Sequence, residues 1–345
     1  MKKIVLEFEK IRDPFSGLGQ YCLHLGKELS AKDDVFFYLN QKFPHPFSQD
    51  KIIALKSIHK TLNFLAPKAD LWHAIHQDSK FLPRNSSAKY VLTIHDLNHI
   101  AEHNNPLEVK AYLHTLQKRI DRSQGLTFIS QYTKEFVASH LKIDHVPSEV
   151  IYNGICLNND HAPQRPALFP EGPFLFSVGT ILPKKNFHVL VEMLKNLPEL
   201  NFCLAGSLFS SYAKEIQELI AKFKLEKRFI LIGTVGDAEK NWLYQNCTGF
   251  VFPSLLEGFG LPVAEAMAYG KPIFLSRLTS LPEVGGEAAY YFDNFKAEHM
   301  AQIVSEGLKD FNEEKRQRLL KRCELFNWKK SAQDYYNFYQ KVLNS

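Results

Sequence analysis

Two glutamates in the second half of the chain are separated by a glycine-rich turn and the start of a helix. Glu257 and Glu265 flank the string Gly-Phe-Gly-Leu-Pro-Val-Ala. The glycines allow a tight turn with exposed backbone N–H groups, and Pro262 suits the first turn of a helix. The pattern therefore places Glu257 on the turn and Glu265 in the first helical turn. Both carboxylates then face one ligand over a helix N-terminus, which is a natural anion site, and a polyhydroxyl ligand carrying a diphosphate fits these groups.

A pair of lysines follows a predicted strand. Residues 177–186 read Ser-Val-Gly-Thr-Ile-Leu-Pro-Lys-Lys-Asn, so a turn at Gly179 precedes Lys184 and Lys185. Apolar residues then recur at helical spacing, which places both lysines at a helix N-terminus on the carboxyl edge of a sheet. Open α/β folds bind ligands at that edge, and lysine suits a diphosphate. The alternative is two solvated lysines in a loop.

Two shorter motifs occur in the first half. Gly17 and Gly19 open a helix after the first predicted strand, an arrangement that cradles phosphates in some proteins and is only a tight turn in others. His95 is followed by Asp96 at the end of a later predicted strand.

The sequence predicts no metal site. His73 and His76 could form a pair of metal ligands, but no third ligand has a suitable spacing. Contact with a substrate or packing is the better interpretation of both. No Asp-x-Asp motif is placed to hold a metal ion either.

Strands and helices alternate along both halves, which predicts parallel sheets covered by helices on both faces. The predicted strands of the first half are Ile4–Phe8, Val35–Tyr38, Ile52–Leu55, Leu71–His73, Tyr90–Ile94, Leu126–Ile129 and Val150–Tyr152. The helices predicted between them are Gln20–Leu29, Pro106–Arg122 and Gln131–Leu141. The predicted strands of the second half are Phe174–Val178, Phe202–Leu204, Phe229–Ile232, Gly249–Phe252, Ile273–Leu275 and Tyr290–Phe292.

Composition agrees with a two-domain enzyme. The chain has 345 residues, 45% of them apolar, and a formal net charge of +5. This charge does not indicate a nucleic-acid binder and is compatible with weak peripheral contact with an anionic membrane surface. Five scattered cysteines indicate reduced, mostly buried thiols in a cytoplasmic protein. Neither a signal peptide nor an apolar run of membrane-spanning length is evident.

The string E-G-F-G-L-P-x-x-E-A-M-A-x-G-x-P at 257–272 strongly resembles the donor-site signature of retaining glycosyltransferases of family 4. These enzymes have the GT-B fold, an α/β architecture of two facing Rossmann-like domains with a C-terminal helix that crosses back to the first. The resemblance implies that Glu257 lies beside the transferred sugar and that Glu265 binds the nucleotide ribose.

The lysine segment resembles a variant of the family pattern. The usual text is G-R-x-x-x-x-K-G, in which Gly179 and Lys185 match and Thr180 replaces the arginine. This looks like the subgroup written G-T-x-x-P-R-K-N, where Lys184 would take the place of the basic residue before the lysine.

The resemblance assigns further residues to the site. Thr93-Ile-His-Asp resembles the family's T-x-H-D segment, which implies that His95 binds the transferred sugar. The loop of Gly17 and Gly19 would face the donor diphosphate and the acceptor, and Glu283 would brace the donor loop. The diphosphate would be stabilised by both lysines and by the backbone N–H groups of Phe259, Gly260 and Leu261, with backbone contacts to the base near Val235.

Domain boundaries follow from a linker and from the tail. Residues 157–173 contain four prolines and many polar residues, as interdomain linkers do. We predict an acceptor-binding domain at 1–160, completed by a C-terminal helix at 328–345, and a donor-binding domain at 161–327. The aromatic residues of the tail helix, Tyr335, Phe338 and Tyr339, are predicted to be core.

The text of the lysine and glycine segments looks most like bacterial mannosyltransferases that extend O-antigen or related surface polysaccharides. This implies a hexosyltransferase that uses GDP-mannose, a glycan or lipid-linked glycan acceptor, and neither a cofactor nor a metal. The alternatives are a UDP-sugar-dependent enzyme of the same family, a nucleotide-sugar epimerase with the GT-B fold, and a non-catalytic nucleotide-sugar-binding subunit.

Overall fold

The protein forms two compact units. The computed structural model describes residues 2–14, 16–83, 87–102, 105–155 and 162–345. Unit 1 comprises Met1–Gly154 together with Phe326–Ser345, and unit 2 comprises Ile155–Leu325. The boundary predicted between residues 160 and 161, and part of the predicted linker, lie outside the described residues.

Unit 1 is built on a sheet of seven parallel strands. Its strands are β1 (Ile4–Glu7), β2 (Val35–Leu39), β3 (Ile52–Ala54), β4 (Leu71–Ala74), β5 (Lys89–Ile94), β6 (Gly125–Phe128) and β7 (Ser148–Val150). The helices of its first 154 residues are α1 (Gly17–Leu29), α2 (Asn98–Glu102), α3 (Pro106–Arg122) and α4 (Gln131–Ala138). The strands lie in the order β3-β2-β1-β4-β5-β6-β7.

Unit 2 has six parallel strands in the order β10-β9-β8-β11-β12-β13. These strands are β8 (Phe174–Val178), β9 (Asn201–Ala205), β10 (Phe229–Gly233), β11 (Gly249–Phe252), β12 (Ile273–Ser276) and β13 (Tyr290–Phe292). Its helices are α5 (His188–Lys195), α6 (Ser211–Lys222), α7 (Asp237–Asn246), α8 (Leu261–Ala268), α9 (Leu281–Gly285), α10 (Ala297–Asp310) and α11 (Glu313–Cys323).

Both sheets change their winding direction once. In unit 1 the strands are added outward from β1 to β3, and the chain then returns to place β4 on the other side of β1. In unit 2 the strands are added outward from β8 to β10, and the chain returns to place β11 on the other side of β8. Open α/β sheets bind ligands at the carboxyl ends of the strands at such a switch point. In unit 2 the two loops at this point are residues 179–187 after β8 and 253–260 after β11. They carry the predicted lysines and Glu257.

The last helix, α12 (Trp328–Asn344), belongs to unit 1. Its aromatic residues Tyr335, Phe338 and Tyr339 are buried, as the sequence predicts. Gly125 makes room for this helix, because a Cβ there would lie 2.8 Å from the Phe338 ring. The tail therefore completes the core of unit 1.

The predicted elements are confirmed with small shifts at their ends. Every predicted strand is present in the described chain, and three strands of unit 2 have the predicted bounds. Among the strands the largest shift is at β7, which ends at Val150, whereas the sequence predicts a strand over Val150–Tyr152. The helix predicted to begin at Gln20 begins three residues earlier, at Gly17. The helix predicted to reach Leu141 ends at Ala138. Cys22, Cys203, Cys247 and Cys323 are free and buried, as predicted, and Cys156 lies outside the described residues.

Candidate active site

The loop after β8 holds the two lysines in a single 3-10 turn, Pro183–Lys185. Asn186 ends this turn with a left-handed backbone, φ 58°, and α5 begins only at His188. The predicted position of the lysines at a helix N-terminus is therefore wrong. The proline and the left-handed asparagine together make a separate turn before the helix.

The loops after β8 and β11 are joined by backbone hydrogen bonds. The carbonyl oxygen of Lys184 accepts a hydrogen bond from the N–H of Leu255 at 2.8 Å and from the hydroxyl of Ser254 at 3.2 Å. Gly179, which follows β8, has a φ of 155°. Gly206 directly follows β9, and a Cβ there would lie 2.1 Å from the Gly179 carbonyl oxygen. Glycine is therefore required at 206 for the chain after β9 to approach the loop after β8.

Lys185 and Glu257 form an ion pair at the switch point. The Lys185 ammonium donates a hydrogen bond to Glu257 Oε1, and the two side chains are only 14% and 11% exposed. Lys185 Nζ also lies 5.1 Å from the centroid of the Phe252 ring. The loop of Glu257 is held by Thr279, which accepts from the Glu257 N–H at 3.2 Å, and by Ser280, which donates to its carbonyl at 3.1 Å. A diphosphate at this point would compete with Glu257 for the ammonium.

Helix α8 begins after Gly260, whose φ of 99° puts it in the left-handed region. Because Leu261 is the first helical residue, the first turn carries no acidic side chain. Glu265 therefore lies in the second turn, and its predicted position in the first turn is wrong by one residue. Phe259 is buried, and its carbonyl accepts a hydrogen bond from Ser280 at 3.0 Å.

Both oxygens of Glu265 have partners on helix α7. Lys240 Nζ lies 3.1 Å from Oε1, and the Tyr244 hydroxyl donates to Oε2 at 2.9 Å. Burial, and next the charge of Glu265, raise the pKa of Tyr244 well above its ordinary value, so Tyr244 stays a hydrogen-bond donor. Neither Lys240 nor Tyr244 belongs to a motif of the sequence, although their spacing of four places them on one face of a helix. Val235 is half-buried and lies just before α7.

In unit 1, His95 is buried after β5. Its Nε2 lies 2.7 Å from the Ile75 carbonyl oxygen, which can only accept, so Nε2 carries the proton. Burial lowers the pKa of His95 to about 4, against the opposing effect of the bond to Ile75. The ring is therefore neutral at pH 7, and Nδ1 is a hydrogen-bond acceptor.

The neighbouring histidines and Asp96 have structural partners. His73 is buried between Thr93 Oγ1 and the Tyr339 hydroxyl, each 2.7 Å from one ring nitrogen, so this histidine packs the core. His76 Nδ1 accepts from the Asp78 N–H at 3.1 Å. Asp96 Oδ1 accepts from the Asn98 N–H at 3.0 Å, at the start of α2.

Gly17 and Gly19 begin α1, but they differ in their surroundings. The N–H of Gly19 is donated to the side chain of Ser16 at 3.1 Å. A Cβ at Gly19 would lie 1.9 Å from the Asp13 carbonyl oxygen, whereas Gly17 has open space. Gly19 is thus needed for close packing, and Gly17 is the more accessible of the two. Tyr21 of α1 meets the His95 ring edge-on, with centroids 4.9 Å apart.

Among the predicted residues of unit 2, the structure pairs Lys185 with Glu257 and joins their two loops through the Lys184 carbonyl. Glu265 is held separately by side chains of α7. Glu283 lies in α9, where its carbonyl accepts from the guanidinium of Arg322. Within the described ranges, no group of three or more His, Cys, Asp or Glu side chains is arranged to hold a metal ion.

Comparison with known proteins assigns the fold and the family. The model of "Glycosyl transferases group 1" matches residues 158–324, and that of "Glycosyltransferase Family 4" matches residues 15–159. A solved sucrose-phosphate synthase from Thermosynechococcus elongatus superposes with a TM-score of 0.81 over 100% of both chains, at 18% identity. The protein is a family-4 glycosyltransferase with the two-domain GT-B fold.

Its curated relatives include enzymes of O-antigen synthesis. O-antigen chain mannosyltransferase B of Escherichia coli is 24% identical over 98% of this chain and 99% of that protein. O-antigen chain mannosyltransferase RfbU of Salmonella typhimurium is 26% identical over 58% of this chain and 55% of that protein. The family implies a nucleotide-sugar donor and a glycan acceptor, and the comparisons do not favour the alternatives to a mannosyltransferase. No helix in the described part of the chain is both long and apolar enough to cross a membrane.

Proposed function

We propose that the protein is a retaining, metal-independent mannosyltransferase. It moves mannose from GDP-mannose to a glycan or lipid-linked glycan during synthesis of a bacterial surface polysaccharide. The observation that carries this proposal is the ion pair of Lys185 and Glu257 at the switch point of unit 2. Mannose is favoured because the two relatives described above are O-antigen chain mannosyltransferases.

The pair supplies complementary groups for a sugar diphosphate. Cleavage of the donor leaves a nucleoside diphosphate, and an ammonium in a largely buried position stabilises that developing charge more than it would in water. When Lys185 turns to the phosphates, Glu257 is released to bind sugar hydroxyls and to stabilise an oxocarbenium-like state. Lys184 adds a second cation on the same turn.

Retention of configuration fits attack from the face that the diphosphate leaves. A donor phosphate oxygen then takes the proton of the acceptor hydroxyl as the new glycosidic bond forms. In this route Glu257 contributes its negative charge and hydrogen bonds to sugar hydroxyls, and it forms no covalent bond to the sugar. Within unit 1, the neutral ring of His95 could accept a hydrogen bond from a sugar hydroxyl through Nδ1.

The test is donor turnover by the purified chain. We expect release of GDP and mannose from GDP-mannose without acceptor, faster than hydrolysis of UDP-glucose, and an α-linked product when a glycan acceptor is supplied. A thermal-shift comparison of GDP, UDP and ADP should show the largest stabilisation with GDP. Preference for UDP-glucose in both measurements would overturn the donor assignment, and an epimerised sugar on intact nucleotide would overturn the transferase.

A further inference from the structure

Four large apolar side chains are exposed together in the segment that connects β3 to β4. Ile58, Leu62, Phe64 and Leu65 are between 38% and 56% exposed. The described residues contain ten exposed large apolar side chains in all, and four of these lie within the eight residues 58–65. Contiguous exposed apolar surface marks an interaction site more often than isolated residues do.

The segment is held in place rather than frayed. It consists of two short 3-10 turns, Ser57–Lys60 and Asn63–Leu65. The His59 side chain between the exposed residues is buried and hydrogen-bonded to the Tyr38 hydroxyl, and Ala66 is buried at the other end. The fold therefore presents these apolar side chains outward on an anchored support.

The charges of the segment have a single sign. Residues 56–68 contain Lys56, Lys60 and Lys68, all exposed, and no Asp or Glu. An anionic lipid surface attracts such lysines, while Leu, Ile and Phe enter the headgroup region. A protein partner fits less well, because lysine is depleted in protein–protein interfaces.

We propose that residues 56–68, the apolar–basic segment, dock unit 1 onto an anionic lipid surface. The apolar side chains enter the boundary between headgroups and acyl chains, and the lysine ammonium groups meet the lipid phosphates. The proposal rests on the proposed function in one respect, since a lipid-linked glycan acceptor would be presented at such a surface.

The test is sedimentation of the full chain with vesicles of phosphatidylcholine alone or of phosphatidylcholine with phosphatidylglycerol. We expect binding to the anionic vesicles that weakens with salt. Phe64→Ser with Leu65→Ser should lower the partition constant by on the order of tenfold or more. Lys56→Gln with Lys68→Gln should lower it by about fivefold per lysine.

A matched control lies on α3, where Leu107 is 77% exposed and Lys110 is exposed nearby. Leu107→Ser with Lys110→Gln should leave vesicle binding unchanged. The proposal is overturned if the wild-type chain does not bind anionic vesicles, or if the Phe64/Leu65 variant binds them as the wild type does. It is also overturned if the wild-type chain self-associates without binding vesicles and the Phe64/Leu65 variant no longer self-associates. That result would show that the segment contacts a second copy of the chain.

Donor hydrolysis measured in free solution separates the two proposals. We expect every segment variant to hydrolyse GDP-mannose at the wild-type rate. A chain that binds anionic vesicles but does not turn over GDP-mannose would refute the proposed function and leave the docking surface intact. A chain that turns over GDP-mannose without vesicle binding would refute only the docking surface.

Discussion

Removal of the Lys185 ammonium should change both the stability and the activity of the protein. In Lys185→Met, the Glu257 carboxylate loses its partner in a position that is only 11% exposed. Breaking one side of a fully buried ion pair costs about 3–5 kcal/mol, and the remaining solvent access reduces this to about 2–3 kcal/mol here. Since unit 2 comprises Ile155–Leu325, a loss of this size should lower its Tm by about 4–12 °C.

The effect on activity has a separate origin and a larger size. If Lys185 stabilises the departing diphosphate, its loss should reduce kcat by on the order of 10²–10³, or about 2.7–4 kcal/mol of transition-state stabilisation. Lys184→Ala should reduce kcat less. Its backbone carbonyl, which holds the β11 loop, is kept in that variant.

The assay combines GDP-mannose turnover with thermal unfolding. Lys185→Met with Glu257→Gln should recover most of the lost Tm without recovering turnover, because it removes the unpaired charge but not the need for the cation. Lys341→Met, which breaks an exposed pair with Glu149, is the control and should change neither quantity appreciably. Near wild-type kcat/KM in Lys185→Met would refute the assignment of this lysine to the diphosphate.

The remaining predictions concern the two glutamates of unit 2, metal dependence, and the buried Glu7 of unit 1. Glu265→Ala should weaken nucleoside diphosphate binding in calorimetry, and Tyr244→Phe should weaken it about tenfold through loss of one hydrogen bond to a carboxylate, with kcat unchanged. Glu257→Ala should spare that binding and damage turnover, so equal binding losses at both glutamates would contradict the division of roles. Activity should survive excess EDTA, and a complete loss restored by Mg²⁺ would show that the lysines do not suffice. Burial raises the pKa of Glu7 to about 7, against the lowering effects of Ser79 and the Glu9 N–H. The native state then binds more protons than the unfolded state between about pH 4.5 and 7, so the free energy of unfolding falls as pH rises through this window. In Glu7→Gln, the free energy of unfolding measured with urea should fall less over the same window. An identical pH profile in the variant would contradict this.

The order of elements could be predicted from the sequence because it depends on local patterns. Short apolar runs such as Phe174–Val178 and Gly249–Phe252 are bounded by turn residues, and both strands have the predicted bounds. The tail helix has aromatic residues on one face, which predicts their burial whatever they pack against. Element ends were less certain, as at β7, because strand ends depend on the partner strand.

The sequence also singled out Glu257 and Glu265 through the string at 257–272, and Lys184 and Lys185 through the segment at 177–186. Their contacts could not be predicted. Lys240 and Glu265 are 25 residues apart, and only the packing of α7 beside α8 brings them together. His73 has the residue type of a ligand, yet α12 brings Tyr339 to it from 266 residues away.

By itself the sequence therefore determined the two α/β units, their strands, and which lysines and glutamates lie near a sheet edge. The tertiary structure decided how each group is used. It paired Lys185 with Glu257, gave both oxygens of Glu265 to α7, and assigned the Gly19 N–H to Ser16. The physical reason is that periodicity and turn chemistry act over a few residues, whereas hydrogen-bond partners and burial depend on which distant segments the sheet order places side by side.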